Sequence, residues 1–150
     1  MLMPTSVTWI IVANAERCRA LEERRRGGVL NELEAWDCRQ TEQDRRHAHH
    51  EPAVVGQRFG FGRSVVNPRD YEAQAERRFL TRYAHQLSLA GAKGRFVRLI
   101  LIATPPALGV LREELGRPVQ RCVERTAVCD CVGDAPEALR ERVRALRAPR

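Results

Sequence analysis

The most suggestive chemistry in the sequence is carried by four residues that alternate cations with aromatic rings. They are Arg58, Phe59, Phe61 and Arg63, and glycines separate the two phenylalanines from each other and from the second arginine. Aromatic rings stack on nucleobases and guanidinium groups contact phosphates, so this composition is suited to RNA. The alternative is a structural one, in which the phenylalanine rings fold back onto the protein core. We therefore predict an RNA contact in this stretch.

Cysteines and a histidine cluster are the candidate metal ligands. They are His47, His49 and His50, together with Cys38 or with Cys129 and Cys131. Zinc sites usually take their ligands from closely spaced pairs, and one Cys-x-Cys with distant histidines does not supply two such pairs. On a strand, Cys129 and Cys131 would point to opposite faces of the sheet. We expect no metal site here, and cysteines that behave as small apolar residues.

A strand that leads into a helix at Thr104-Pro105-Pro106 is a possible phosphate site, because helix N-termini attract anions. A phosphate cradle needs glycine for close approach, however, and proline removes the amides that would bind. This turn is therefore predicted to be framework. A metal-dependent nuclease would need acidic residues in its strands, whereas residues 7–13 and 97–103 contain none. No hydrolase, Walker or dinucleotide fingerprint is present either, so we expect a protein without catalysis or cofactor.

The elements that position these residues follow from the apolar pattern. Residues 7–13 and 97–103 are continuous apolar strands, as expected where helices cover both faces of a sheet. Further predictions are a strand at 18–21, a turn at 27–28, a hairpin strand at 29–36 and a strand at 127–132. Three helices are predicted from buried stripes: one begins at Asn67-Pro68 and ends at Gly91 and Gly94, one begins after Thr104, and one is capped by Asp134. Residues 37–68 have no sustained period, which indicates a long, mobile loop.

Length, composition and charge limit the class of protein. The chain has 150 residues, 43% of them hydrophobic, which suits one α/β domain over residues 1–150. The net charge is +7, and only Lys93 among the 26 basic residues is lysine. A basic surface suits RNA or another anionic partner. We see no secretory signal and no apolar run long enough to span a membrane, so we expect a cytoplasmic protein without a membrane partner.

Several segments together resemble the family called "protein required for attachment to host cells". The matching stretches are TWIIVANAERCRAL, EAQAERRFLTRYAHQL, GRFVRLILIATPPALGVLREEL and the amphipathic C-terminal helix. The most specific part is the strand followed by A-x-P-x-x-L-G-x-L-R, here Ala103, Pro105, Leu108, Gly109, Leu111 and Arg112. The resemblance covers most of residues 7–146.

The family is related to the middle domain of archaeal and eukaryotic peptide-chain release factors, and this resemblance has structural implications. It implies a three-layer α/β fold with a mixed, mainly parallel sheet of about five strands and ribonuclease-H-like topology. In release factors the loop before the long helix holds a Gly-Gly-Gln tip that enters the peptidyl-transferase centre. This chain has Gly56 and Gln57 in the corresponding interval.

The function that we predict is RNA or ribosome binding by a module without catalysis, through the 37–68 loop and the basic surface. Its candidate contact residues are Gly56, Gln57, Arg58, Phe59, Phe61 and Arg63. One alternative is a protein-interaction factor linked to attachment, as the family's name suggests. A second alternative is a hydrolase of peptidyl-tRNA, in which Gly56 allows close approach and Gln57 orients a water molecule.

Overall fold

The computed structural model of the protein describes residues 7–46 and 68–149. The strands in this part of the chain are β1 (Thr8–Ala13), β2 (Arg17–Glu23), β3 (Leu30–Glu32), β4 (Cys38–Arg39), β5 (Arg98–Ala103) and β6 (Val123–Val128). The helices are α1 (Pro68–Ala92), α2 (Pro105–Glu114), α3 (Arg117–Gln120) and α4 (Pro136–Arg147), besides a 3₁₀ helix at Glu34–Trp36 and a helical turn at residues 42–46.

The strands form one mixed sheet in the order β3-β2-β1-β5-β6, and β4 also pairs with β2. β1, β5 and β6 are parallel, while β2 runs antiparallel to β1, β3 and β4. Five of the six described strands therefore run in one direction. The predicted α/β fold with a mixed, mainly parallel sheet between helices is confirmed, and the ribonuclease-H-like topology stays a prediction.

Two hydrophobic clusters cover the two faces of the sheet and explain the continuous apolar strands. In β1, Trp9 and Ile11 face the cluster that contains the buried residues of α1 and α2. Ile10 and Val12 face the second cluster, to which α4 contributes Leu139. Because successive residues of a strand point to opposite faces, a central strand covered on both sides is apolar at every position.

The end of α1 differs from the prediction, since Gly91 lies inside the helix. A Cβ atom at Gly91 would lie 2.7 Å from a methyl group of Val119 and 3.0 Å from the ring of Phe96. Both neighbours are buried, so glycine is needed here for close packing of α1 against α3. Gly94 has a φ of +77°, and its left-handed conformation ends the helical segment.

Three predicted boundaries near the C-terminus and in the first hairpin are wrong. β6 spans Val123–Val128 rather than 127–132, because this edge strand is only half-buried and the polar run from Glu124 to Thr126 interrupts the apolar pattern. The cap of α4 is Ala135, which has extended backbone dihedrals, rather than Asp134. The predicted strand at 29–36 is shorter, since β3 ends at Glu32 and the 3₁₀ helix follows.

Cys129 and Cys131 follow β6 instead of lying within it, which corrects the prediction that they point to opposite faces. Cys131 is buried in the cluster beside α4, and Cys129 packs against the same cluster. A turn closes behind them, in which the Asp134 N–H donates to the Cys131 carbonyl at 3.0 Å. Their role as small apolar residues agrees with this packing.

The start of the predicted 37–68 loop is ordered. Thr41 and Asp44 cap the helical turn reciprocally: the Thr41 N–H donates to the Asp44 carboxylate at 2.8 Å, and the Asp44 N–H donates to the Thr41 hydroxyl at 3.1 Å. Arg82 of α1 donates to the same carboxylate. These contacts hold residues 37–46 against the body of the protein.

Candidate nucleic-acid interface

The residues predicted to contact RNA lie outside the described part of the chain. They are Gly56, Gln57, Arg58, Phe59, Phe61 and Arg63, and the histidines of the cluster, His47, His49 and His50, lie outside it as well. An RNA contact at residues 56–63 therefore stays a prediction.

One edge of the sheet collects the segments that carry most positive charge. The register places Thr8, the first residue of β1, opposite both Glu23 at the end of β2 and Arg98 at the start of β5. Leu99 of β5 pairs in turn with Val123, the first residue of β6. The segments 24–28, 93–98 and 115–122 therefore emerge side by side at this edge.

We call these three segments the basic edge. They carry eight exposed cations, Arg24, Arg25, Arg26, Lys93, Arg95, Arg98, Arg117 and Arg121. They contain no aspartate or glutamate, whereas the whole chain has a net charge of only +7. The rest of the chain consequently has a net charge of −1. The positive charge of the protein is thus concentrated at one edge of the sheet.

Most cations of the basic edge are not neutralised by the described part of the protein. Arg24 pairs with Glu22 at 2.9 Å and Arg26 with Glu124 at 3.2 Å. Arg95 lies over the ring of Trp9, 5.1 Å from its centroid. The six that have no ion pair with a carboxylate of residues 7–46 or 68–149 are Arg25, Lys93, Arg95, Arg98, Arg117 and Arg121. Their charges are available to an external anion.

The opposite edge, where the parallel strands end, has a different charge arrangement. Arg17 forms a bidentate pair with Asp37, with contacts of 3.0 and 2.8 Å, and this pairing lowers the pKa of the Asp37 carboxyl. Arg19 pairs with Glu32 at 2.6 Å and also donates to the Val132 carbonyl at 2.7 Å. These guanidinium groups are already used to join loops.

Asn14 extends this internal network. Its amide donates to the Asp130 carboxylate at 3.2 Å, and its side-chain oxygen accepts the N–H groups of Glu16 and Arg17 at 2.9 Å each. Ligands of α/β sheets commonly bind at this edge, but here it is occupied by internal contacts. The described residues include no group of three or more His, Cys, Asp or Glu side chains placed to hold a metal.

A cleft of about 950 Å³ lies between α1, the 41–44 segment and the end of α2. Its arginines are largely neutralised, since Arg77 contacts Glu113 at 2.7 Å and Arg82 pairs with Asp44. Burial alone would raise the pKa of Asp44, but hydrogen bonds from Arg82 and from the 41–44 turn lower it overall. This cleft is therefore a weaker anion site than the basic edge.

Sequence reasoning missed the basic edge because its parts are far apart in the chain. The Arg24-Arg25-Arg26 run beside the predicted turn was visible, but nothing in the spacing joins it to residues 93–98 or 115–122. The ordered turn after β4 did have a local signal, since Thr41 and Asp44 stand three residues apart in a capping-box pattern.

The comparison with protein families agrees with the resemblance noted in the sequence. The chain belongs to the family described as "protein required for attachment to host cells", whose profile matches residues 9–143. A comparison with curated proteins found no match. The relation to the middle domain of release factors stays a prediction. None of the helices in the described ranges is both long enough and apolar enough to cross a membrane.

Proposed function

We propose that the protein binds RNA, including ribosomal RNA, through the phosphate contacts of its basic edge. The single observation that carries this proposal is the group of eight exposed cations with no acidic residue in the same segments. Arginine presents a planar fork of donors that fits a phosphate, and binding releases the counterions condensed on RNA.

The basic edge is suited to the RNA backbone rather than to its bases. Two aromatic rings beside it, Trp9 and Phe96, are buried, at 0% and 2% exposure. They cannot stack on a base without unfolding. Base stacking is the contact predicted for Phe59 and Phe61, and it would add to the backbone contacts of the edge.

An acidic protein is the alternative partner, in line with the attachment role in the family's description. Protein interfaces usually have an apolar or aromatic centre surrounded by a polar rim. Val97 in the basic edge and Val29 directly after its first segment are exposed large apolar side chains, at 40% and 63% exposure, whereas the rings of Trp9 and Phe96 are buried. RNA is therefore the better match. Peptidyl-tRNA hydrolysis through Gln57 has no supporting observation among the described residues.

Ribosome co-sedimentation with two charge-matched variants tests the proposal. The edge variant is Arg98→Gln with Arg121→Gln, and the control variant is Arg77→Gln with Arg142→Gln, which are exposed arginines outside the edge segments. Both variants lose two positive charges. We expect the wild type and the control variant to pellet with ribosomes at low salt and to dissociate as salt rises, because phosphate contacts are salt-sensitive.

The edge variant should bind about 10-fold more weakly than the control variant at the same salt concentration. Absence of ribosome association at low salt would refute RNA binding. Equal loss in the two variants would show that net charge, and not the basic edge, governs association. Displacement of the protein by polyglutamate as efficiently as by RNA would favour the acidic-protein alternative.

A further inference from the structure

Two cysteines lie directly opposite each other on the strands β2 and β4. The antiparallel register pairs Cys18 with Cys38. Directly opposite residues of antiparallel strands have Cα atoms about 4.5 to 5.5 Å apart and side chains on the same face. Disulfides form when the Cα atoms are about 4.4 to 6.8 Å apart. The Cα separation expected for this pair therefore lies within the range that a disulfide spans.

Packing confirms that the two side chains share one face of the sheet. Cys18 is fully buried in the cluster beneath α1, and Cys38 packs against the same cluster while remaining partly exposed. Both are free cysteines. A small reagent from solvent can therefore react with Cys38, whereas Cys18 can react only with the product formed at Cys38.

The other described cysteines have different surroundings. Cys122 packs against the same cluster, but it directly precedes β6, which lies beyond β1 and β5 in the sheet order. Cys129 and Cys131 pack on the opposite face, beside α4. Neither location is next to Cys18 or Cys38, so the pairing of these two is specific within the described residues.

We propose that Cys18 and Cys38 are an oxidisable pair that forms a reversible disulfide in the presence of a hydroperoxide. The Cys38 thiolate attacks the peroxide oxygen, which gives a sulfenic acid and releases water or an alcohol. The Cys18 sulfur then attacks the Cys38 sulfur, and the sulfenic hydroxyl leaves as water with the Cys18 proton. The two thiols lose two electrons, and the peroxide O–O bond is reduced by two electrons.

The surroundings make this reaction slow at neutral pH. Burial raises the pKa of both thiols, and the Asp37 carboxylate raises that of Cys38 further, while Arg82 of α1 opposes the shift in each. Tyr83 of α1 faces the pair as a neutral phenol. Because the thiolate is the nucleophile, oxidation should accelerate as the pH rises from about 7 to about 9.

The disulfide would fix β4 to β2 covalently and restrict the unfolded chain. Closing the loop from residue 18 to residue 38 should raise the Tm by about 6 to 12 °C, from the loop-entropy relation for its length. The reduced protein keeps the non-covalent contacts of β4. A change in redox state would thus change how firmly residues 37–46 are held to the sheet.

Peptide mapping of the oxidised protein tests the proposal. The reduced full-length chain is treated with hydrogen peroxide, the remaining thiols are alkylated, and the protein is digested without reductant. We expect a linked peptide pair that contains Cys18 and Cys38, together with the Tm increase, and both should be reversed by dithiothreitol. Cys122→Ser is the matched control and should behave as the wild type, whereas Cys38→Ser should show neither effect.

Three results would overturn the proposal. One is oxidation of Cys38 to sulfinic acid while Cys18 remains a free thiol. Another is a disulfide between Cys129 and Cys131 with Cys18 and Cys38 still reduced. The third is a linked Cys18–Cys38 pair without a reversible Tm change. Mapping uses the wild-type protein, so the test does not depend on whether Cys38→Ser folds.

Discussion

Replacement of Arg147 by methionine should destabilise the protein strongly, because this residue neutralises a buried carboxylate. Arg147 lies in the last turn of α4 and forms a bidentate pair with Glu23, with both contacts at 2.8 Å. It also contacts Glu124 at 3.0 Å. The side chains of Arg147 and Glu23 are only 9% and 1% exposed.

The expected cost follows from what remains after the substitution. Glu23 would keep its backbone hydrogen bond from Gly27, at 3.0 Å, but would lose its cation. Removing one partner of a buried ion pair typically costs about 3 to 5 kcal/mol, which corresponds to a Tm decrease of about 6 to 20 °C for a chain of this size. The double variant Arg147→Met/Glu23→Gln should recover a large part of this loss, since no buried charge is left uncompensated.

Thermal and urea unfolding at neutral pH measure this effect, with Arg144→Met as the matched control. Arg144 is one turn earlier in α4 and its pair with Glu141 is exposed, at 60% and 64%. We expect the control to change the free energy of unfolding by less than about 0.5 kcal/mol. Equal effects of Arg147→Met and Arg144→Met would refute the reasoning from burial.

Three further predictions concern glycine packing, a half-buried acid and the turn after β4. Gly91→Ala should lower the free energy of unfolding by about 1 to 3 kcal/mol, because its new methyl group clashes with Val119. In Gly109→Ala the new methyl group meets no atom within 4 Å, so this substitution should stabilise α2 by about 0.5 to 1 kcal/mol. Urea unfolding of both variants tests this, and the two changes in the free energy of unfolding should have opposite signs. Burial raises the pKa of Glu76, so its ionisation opposes folding as the pH rises above its unfolded value. Glu76→Gln should therefore raise the Tm at pH 7 by about 1 to 2 °C and leave it unchanged at low pH, and equal shifts at both pH values would contradict this. Asp44→Ala should lower the free energy of unfolding by about 1 to 3 kcal/mol, because it removes both the cap of the turn and the partner of Arg82. It should also increase hydrogen exchange at residues 41–46, and unchanged exchange would contradict the account of this turn.

The parts of the fold that sequence predicted well are those where burial acts on every residue of a segment. β1 and β5 are covered on both faces, so their apolar runs were unmistakable. In α1, Ala75, Phe79 and Leu87 belong to the apolar stripe that predicted the helix, and all three are buried. Local periodicity is a sufficient signal when one element meets one continuous core.

The errors arise where a neighbour far away in sequence determines the local structure. β6 is a sheet edge, and its Glu124 is partly buried through the contact with Arg147 of α4, which no local pattern reveals. The sequence predicted Gly91 as the end of the helix, whereas in the structure its lack of a side chain allows Val119 and Phe96 to pack closely against α1. The basic edge could not be predicted for the same reason, because the register of β1 with β2 and β5 brings together segments that are far apart in the sequence.

The salt dependence of RNA binding tests the central claim most directly. Fluorescence anisotropy with a labelled RNA hairpin, between about 50 and about 200 mM salt, gives the slope of log Kobs against log salt concentration. For the wild type and for the control variant Arg77→Gln/Arg142→Gln we predict the same steep slope. For the edge variant Arg98→Gln/Arg121→Gln we predict a slope that is shallower by about 1.4 to 1.8, since two phosphate contacts are lost. Equal slopes for the two variants, or a wild-type affinity that does not change with salt, would contradict the assignment of RNA binding to the basic edge.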